Sequence, residues 1–287
     1  MDTTLRNSLL AGLRDGSLVP CLGPGALHDV THRESGLSMP ATSEQLILAM
    51  NGGRPMAPKL MYEFSRAAMN VELKRGRTAV TRFLTDTYCD RAWSRARLHD
   101  WLAAIHPGYV IDFNRDTQLI DSYSHTPHTL VLGCARIGGT SYRFKLYAHD
   151  GTRYAQASAE QIDAALPVLF KPLGCPKPNP SYIASDADYV DYLTELMGGF
   201  AVPSFVKSRR KGKRYLLLGL RFTRDTERML LTDMIFDAAD NPGGWALIAD
   251  PTPKERRFLD RIGITLIEKD WAALTDSSIA ETMSLPA

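Results

Sequence analysis

Every residue of Tyr215-Leu-Leu-Leu-Gly-Leu220 is apolar. A strand with no polar side must be buried on both faces, and that happens in parallel sheets whose faces are both covered by helices. The residues that follow fit such a sheet. A helical stretch starting near Thr223 to Thr226 carries Met229, Leu230, Leu231, Met234 and Ile235 along its apolar side. Then come a short strand, Trp245-Ala-Leu-Ile248, a helix opened by Pro253 and running to Ile262, and a last strand, Ile264-Thr-Leu-Ile267. Strand and helix alternate, which is the pattern of a doubly wound α/β fold.

The N-terminal part reads in the same way. Leu5, Leu9, Leu10 and Leu13 have helical spacing, and Asp15-Gly16 ends that helix. Residues 17–22, Ser-Leu-Val-Pro-Cys-Leu, form a buried strand in spite of Pro20. A helix from Ser43 to Met50 has a hydroxyl cap in Thr42 or Ser43. From Met56 to about Ala104 the apolar stripes are helical, giving a helical lobe over about 51–105. His106-Pro-Gly108 breaks it, and Tyr109 to Phe113 is the next core strand.

Over about 129–156 the texture turns to β, punctuated by Gly138-Gly139 and Asp150-Gly151, as for an inserted hairpin or meander. A short helix is expected from Ala157 to Leu166, then a strand from Pro167 to Phe170, and a helix capped by Ser185 with Tyr189, Tyr192, Leu193 and Leu196 inward. The chain of 287 residues is therefore expected to be a single unit over 1–287.

Charge and cysteine content narrow the function. The 34 Lys and Arg against 32 Asp and Glu leave a formal charge of +2, too little to require a nucleic-acid partner. The local exception is the run Lys207, Arg209, Arg210, Lys211, Lys213 and Arg214, which reads as a solvated loop more readily than as a nucleic-acid contact because no aromatic side chain is interleaved. The 4 cysteines, Cys21, Cys89, Cys134 and Cys175, form no C-x-x-C pair, so no zinc is expected. The N-terminus has no long apolar stretch of signal type and no later segment has the length of a membrane span, so a cytoplasmic location and no membrane contact are expected.

Several short motifs carry the functional reading. Leu22-Gly-Pro-Gly-Ala-Leu27 follows the first strand and Gly36-Leu-Ser-Met-Pro40 lies a little later. Asn114-Arg-Asp116 follows the second core strand, Phe170-Lys-Pro-Leu-Gly174 a third, Ser185-Asp-Ala-Asp-Tyr189 opens a helix, and GLRFTRDTER, residues 219–228, follows the late strand. In this order the motifs resemble the sirtuin-like family common in bacteria, including its NAD-consuming branch. The resemblance implies a Rossmann-like sheet and an NAD pocket in which Gly23, Gly25, Ala26, Asn114, Gly219, Thr223 and Asp225 meet the dinucleotide and Asn114 and Asp116 serve catalysis. A glycine turn at a helix N-terminus suits a pyrophosphate because its backbone N–H groups can face the charge. Alternatively, the same turn is a plain tight turn, Asn114 an N-cap, and Asp225 a helix cap.

The sequence departs from the family pattern in places that matter. Leu173 stands where the family's general base is a histidine, and losing such a base costs roughly 10²–10⁴ in rate. Arg115 replaces a tyrosine, Arg221 a serine and Arg224 an aspartate. Of the 7 histidines, His28 or His32 after the glycine loop, or His125 and His128 beyond Asn114, are the candidates to reach the pocket, against the alternative of surface or hydrogen-bonded structural residues, which a lone histidine more often is. The resemblance thus implies either an NAD glycohydrolase that breaks the nicotinamide–ribose bond, or a catalytically degenerate pseudoenzyme. The latter would sense NAD or ADP-ribose, or act as an interaction module, with a separately encoded protein partner or as a homo-oligomer.

Overall fold

The computed structural model describes residues 1–89, 92–137, 142–235 and 243–275. Its elements run α1 (Thr3–Asp15), β1 (Leu18–Leu22), α2 (Ser43–Met50), α3 (Phe64–Arg75), α4 (Arg77–Tyr88), α5 (Arg97–Ile105), β2 (Tyr109–Asp112), α6 (Gln118–Ser122) and β3 (His128–Gly133). After these come β4 (Phe144–His149), β5 (Tyr154–Gln156), β6 (Val168–Lys171), β7 (Gly174–Cys175), β8 (Ser181–Tyr182), α7 (Asp186–Met197) and α8 (Ser204–Arg209). The last described elements are β9 (Arg214–Leu218), α9 (Asp225–Ile235), β10 (Gly244–Leu247), α10 (Pro253–Arg261), β11 (Ile264–Ile267) and α11 (Ala272–Thr275).

Nine strands form one sheet in the order β11-β10-β9-β1-β2-β6-β3-β4-β5. All pairings from β11 to β3 are parallel, and β4 and β5 extend the β3 edge in antiparallel fashion. A separate small hairpin pairs β7 with β8. Among the described residues no helix is long and apolar enough to cross a membrane.

Alternation along the strands divides the core between the two faces. Val19, Cys21, Ile111, Phe170, Tyr215 and Leu217 pack with α7, α8, α9 and α10. Leu18, Leu22, Val110, Leu169, Leu216 and Leu218 face the other way, against α1, α5, α6 and α11. The fold is thus a doubly wound, Rossmann-like α/β sheet, as its apolar strands imply. A third cluster, built from Leu46, Ile47, Phe64, Ala67, Ala68, Val80 and Leu84, is the core of a helical lobe made by α2, α3 and α4. Although α5 continues the helical texture of that region, its Leu98 and Leu102 pack on the sheet.

Pro20 lies within a strand that has neighbours on both sides, and the hydrogen bonds explain how. Leu22 turns its carbonyl to the N–H of Phe113, whereas Gly23 turns its N–H to the carbonyl of Leu218. Even-numbered residues of β1 therefore face β2, and β2 pairs with β1 only from Cys21 onward. The donor that Pro20 lacks is missing beyond the end of that ladder.

Two local expectations are corrected. Residues 157–166 form a single 3-10 turn at Ala159–Gln161 rather than a helix. Asp163 takes the N–H of Ala165, a local bond that competes with helix formation, and the turn buries no side chain. The basic run begins inside α8 rather than in a loop. The expected Gly138-Gly139 turn lies outside the described residues, while Gly151 takes the left-handed conformation that its β4–β5 turn requires, at φ +96°.

The turns after β1 and β9 touch. Gly25 donates to the carbonyl of Gly219 at 2.8 Å, and a Cβ on Gly219, whose φ is +66°, would lie 2.4 Å from the nitrogen of Ala26. Gly219→Ala is expected to lower the unfolding free energy by about 2 kcal/mol or more, combining a disfavoured φ with a backbone clash. Chemical denaturation followed by circular dichroism checks this, and an unchanged midpoint would contradict the close approach.

Candidate functional site

The chain order of the parallel strands reverses across β1, which lies between β2 and β9, and ligands of open α/β sheets settle beyond the C-terminal strand ends at such a point. A cleft of about 610 Å³ opens there, a volume within the range of small-molecule sites. Its floor comes from the segments after five parallel strands: Pro24 and Gly25, Phe113 to Arg115, Leu173, Gly219 to Arg221 with Thr223, Arg224 and Thr226, and Leu247 to Asp250. The lobe supplies the facing wall with Ala41 to Glu44, Leu46, Glu63 to Ser65 and Tyr88. Ser65 Oγ donates to Asp186 at 2.6 Å, and Arg136 joins Glu72 of α3 to Asp188 of α7, so the wall is tied to the sheet domain by polar bonds.

Asn114 is the most firmly held group in the cleft. Its Nδ2 donates to the carbonyl of Gly23 at 3.0 Å and to Asp112 Oδ1 at 2.9 Å, and its backbone N–H reaches the same carboxylate oxygen at 3.0 Å. Both amide hydrogens are therefore committed inward, and Oδ1 is left as the acceptor on the cleft side. Asn114 does not act as the N-cap that the sequence allows. Asp116 Oδ1 instead takes the N–H of Gln118 at the start of α6.

Asp112 is in turn held by Lys171 of β6, whose ammonium donates to Oδ2, and both side chains are fully buried. Burial is the largest influence on the Asp112 carboxyl and would raise it, but Lys171 and His99 together outweigh burial and hold it below its ordinary range. Burial would likewise depress Lys171, and Asp112 and Asp116 together reverse this and keep it charged. His99 Nε2 lies 3.9 Å from Asp112 Oδ2 with neither ring nitrogen hydrogen-bonded. Asp116 is buried nearby with Oδ2 unpartnered, and burial raises its carboxyl.

The residues expected in the pocket separate into two groups. Gly25, Asn114, Gly219 and Thr223 line the cleft, together with Arg115 and Leu173. Gly23 and Ala26 lie beneath it as buried backbone, and Asp116 is buried below. Asp225 pairs with Arg228 and its side chain is 80% exposed, outside the lining. The glycine turn does not present free donors: Gly23 N–H bonds Leu218, Gly25 N–H bonds Gly219, and Ala26 N–H bonds Gly23. Pro24 has none to give.

None of the histidines lines the cleft, which corrects the expectation for four of them. His28 bonds the carbonyl of Gly25 through Nδ1 and packs on Trp271, and His32 packs on Trp93. His128 opens β3, at the end of the sheet away from the cleft, where it stacks on His149, and His125 lies just before it. The basic run is also at that far end, before β9. Lys207 bonds the carbonyl of Gly199, Arg209 those of Gly108, Ala164 and Leu166, and Arg210 that of Met234.

Five carboxylates that sequence reading passed over line the cleft, Glu44, Glu63, Glu227, Asp250 and Asp270, and two of them accept from groups at the start of α9. Glu63 accepts from Thr226 Oγ1, and Glu227 Oε2 accepts from the N–H of Arg224 at 2.9 Å and from Thr223 Oγ1 at 3.5 Å. Burial pushes the Glu227 carboxyl up to about 6, helped by the nearby charge of Glu63 and opposed by the Arg224 N–H. Only the departure of residues 220–227 from the family pattern could have drawn attention to it. Among the described residues no cluster of three or more His, Cys, Asp or Glu side chains could hold a metal ion.

These charges make two predictions. Lys171→Met should cost about 3–5 kcal/mol by stranding Asp112, while Lys171→Met/Asp112→Leu should recover most of it, as read by urea denaturation. For Glu227, the unfolded carboxyl loses its proton near its ordinary value of 4.5 and the folded one near 6, so stability falls as pH rises through that window. Glu227→Gln should therefore be more stable than wild type above pH 6, by up to about 2 kcal/mol, and show no gain below pH 4.5. Melting curves taken across that range test the sign.

No curated protein matches the chain. Its residues 139–267 match the family model of the SIR2-like domain. That span holds the β6 turn with Leu173, the Ser185 helix start and the Gly219–Arg228 segment, while the glycine turn and Asn114 precede it. The match supports a sirtuin-like, NAD-related reading of the chain.

Proposed function

We propose that the chain works as one sirtuin-like unit over residues 1–287, in the cytoplasm, and that it binds NAD in the cleft and hydrolyses the nicotinamide–ribose bond. The observation that carries this reading is the locked amide of Asn114, aimed from a strand end into a cleft at the switch point of the sheet. Breaking the bond sends its electron pair out with nicotinamide and leaves positive charge on the ribose. A fixed amide oxygen and nearby carboxylates stabilise that charge, and being preorganised they cost no rearrangement as it forms. Gly25, Gly219 and Thr223 line the same space, with Gly23 and Ala26 shaping the turn beneath, whereas Asp116 acts from below through the buried charge network.

Water then bonds the ribose carbon and gives up a proton. We assign that proton to Glu227, whose carboxyl, raised to about 6, is deprotonated at neutral pH yet basic enough to accept it. Thr223 and the Arg224 N–H orient the acceptor.

Leu173 supports a second reading. The family's histidine position is occupied by a side chain only 6% exposed in the cleft wall, and leucine carries no proton. In that case the chain is an NAD or ADP-ribose sensor, and ligand changes its affinity for a protein partner or a second copy.

A calorimetric titration with NAD, followed by chromatography of the same sample, separates the two readings. Nicotinamide and ADP-ribose accumulating with time support hydrolysis, and Asn114→Ala should abolish both. The rate should rise through about pH 6, and Glu227→Gln should remove that rise and slow turnover by roughly 10²–10⁴. Binding without product would establish the sensor instead. Absence of binding would sink both nucleotide readings and leave an interaction module.

A further inference from the structure

The cleft needs a group that can meet an anion, and its glycine turn does not supply one. The N–H groups of Gly23, Gly25 and Ala26 are all donated within the protein, and Pro24 has no N–H. Three arginines line the same cleft, Arg115, Arg221 and Arg224. They occupy the positions at which the sequence departs from the family pattern. Arg221 is neutralised by a two-point pair with Glu255, at 2.8 Å through Nε and through Nη2. Arg224 stacks over the exposed ring of Tyr62, with its guanidinium carbon 3.8 Å from the ring centroid.

Arg115 differs from both. It is only 8% exposed, it follows Asn114 directly, and its guanidinium packs on Phe64 with 5.4 Å to the ring centroid. Nε donates to the carbonyl of Ile183 at 2.9 Å, and Nη2 to the same carbonyl at 2.6 Å and to Tyr189 Oη at 3.1 Å. These partners are neutral. Among the described residues no carboxylate lies within ion-pair distance of Arg115, and Nη1 has no hydrogen bond in the protein. By contrast, the fully buried Lys171 has Asp112 and the buried Arg228 has Asp225.

A guanidinium taken out of water without a counter-charge is costly, and the cost is recovered when a ligand brings the missing negative charge. The free Nη1 donates from a group that carries a full positive charge, and a charge-assisted bond of that kind favours a phosphate or carboxylate oxygen over a neutral acceptor. We infer that Arg115 is the anion seat of the cleft, taking through Nη1 an oxyanion of the bound ligand, either a phosphate or a carboxylate. The inference deepens the NAD reading: with the glycine turn closed to anions, the dinucleotide is held by a side chain at the end of β2. It also predicts a preference, because a ligand without an anionic group near this point leaves the cation unpaired.

The test uses calorimetry of the wild-type chain and of Arg115→Gln with three probes: NAD, inorganic pyrophosphate and nicotinate. Wild type should bind NAD, and Arg115→Gln should weaken it by roughly 10- to 100-fold. Competition by pyrophosphate that is lost in Arg115→Gln identifies a phosphate as the seated group, and nicotinate binding that depends on Arg115 without competition by pyrophosphate identifies a carboxylate. Equal NAD affinity in wild type and in folded Arg115→Gln overturns the anion seat and leaves the NAD reading standing. Pyrophosphate or nicotinate binding that depends on Arg115, with no NAD binding, keeps the seat and removes NAD as ligand. Binding of none of the three overturns both. If Arg115→Gln does not fold, Arg115→Lys serves: it keeps the charge and loses the donor at Nη1, so a smaller loss of affinity is expected, and wild-type affinity in it overturns the seat at Nη1.

Discussion

Lys171 and Asp112 are the pair on which the cleft depends. They sit at the ends of two adjacent parallel strands, β6 and β2, with no solvent access to either side chain. An ion pair in such a place adds little stability by itself, because the desolvation of both ions offsets most of their attraction. What it does provide is position. Asp112 Oδ2 is occupied by the ammonium, so Oδ1 is left to receive both the backbone N–H and the side-chain amide of Asn114. A neutral partner in place of Asp112 would accept those bonds more weakly and would leave Lys171 uncompensated. The ionic pair therefore converts a strand end, ordinarily a mobile point, into a fixed amide at the mouth of a cleft.

A second constraint comes from the other side of the switch point. The β1 and β9 turns approach so closely that Gly25 and Gly219 leave no room for a Cβ between them. The contact closes the fold at its centre and uses the N–H groups that a glycine-rich turn otherwise holds ready for a phosphate. Glycine here serves packing, and the recognition of charge passes to side chains. The arginines at positions 115, 221 and 224 are consistent with that transfer, and their surroundings differentiate them. One is paired, one is stacked near solvent, and one is buried without a counter-ion.

These arrangements were unequally legible in the sequence. The strands were readable because burial on both faces leaves a run such as Tyr215 to Leu218 with no polar position, and helix starts such as Thr42 and Ser185 were readable because their caps are local. Asn114 was found through its motif. The partner that holds it was not, since Lys171 is separated from Asp112 by 59 residues and meets it only because β6 inserts beside β2. Glu63 and Glu227 share a cleft only after the lobe folds over α9, so nothing in their own neighbourhoods marks them. The helix expected over 157–166 failed for the opposite reason. Ile162 packs only partly buried against the core, the turn itself buries no side chain, and local side-chain bonds decided the conformation.

In the proposed hydrolysis, the apolar Leu173 in the turn after β6 offers no proton acceptor, so that role falls to the other side of the cleft. At the start of α9, Glu227 is shielded enough for its carboxyl to titrate near 6, and the N–H of Arg224 holds the oxygen that would receive a proton. Glu63 opposes a second negative charge on the same wall, which keeps Glu227 basic. The two ends of the cleft then divide the work. Beside β2 the buried charges hold the amide and leave one cation unmatched, while beside α9 the carboxylates supply the negative charge and the acceptor. In the proposed reaction a dinucleotide losing a neutral base would set its phosphates on the unmatched cation and its developing positive charge between the fixed amide of Asn114 and the carboxylates.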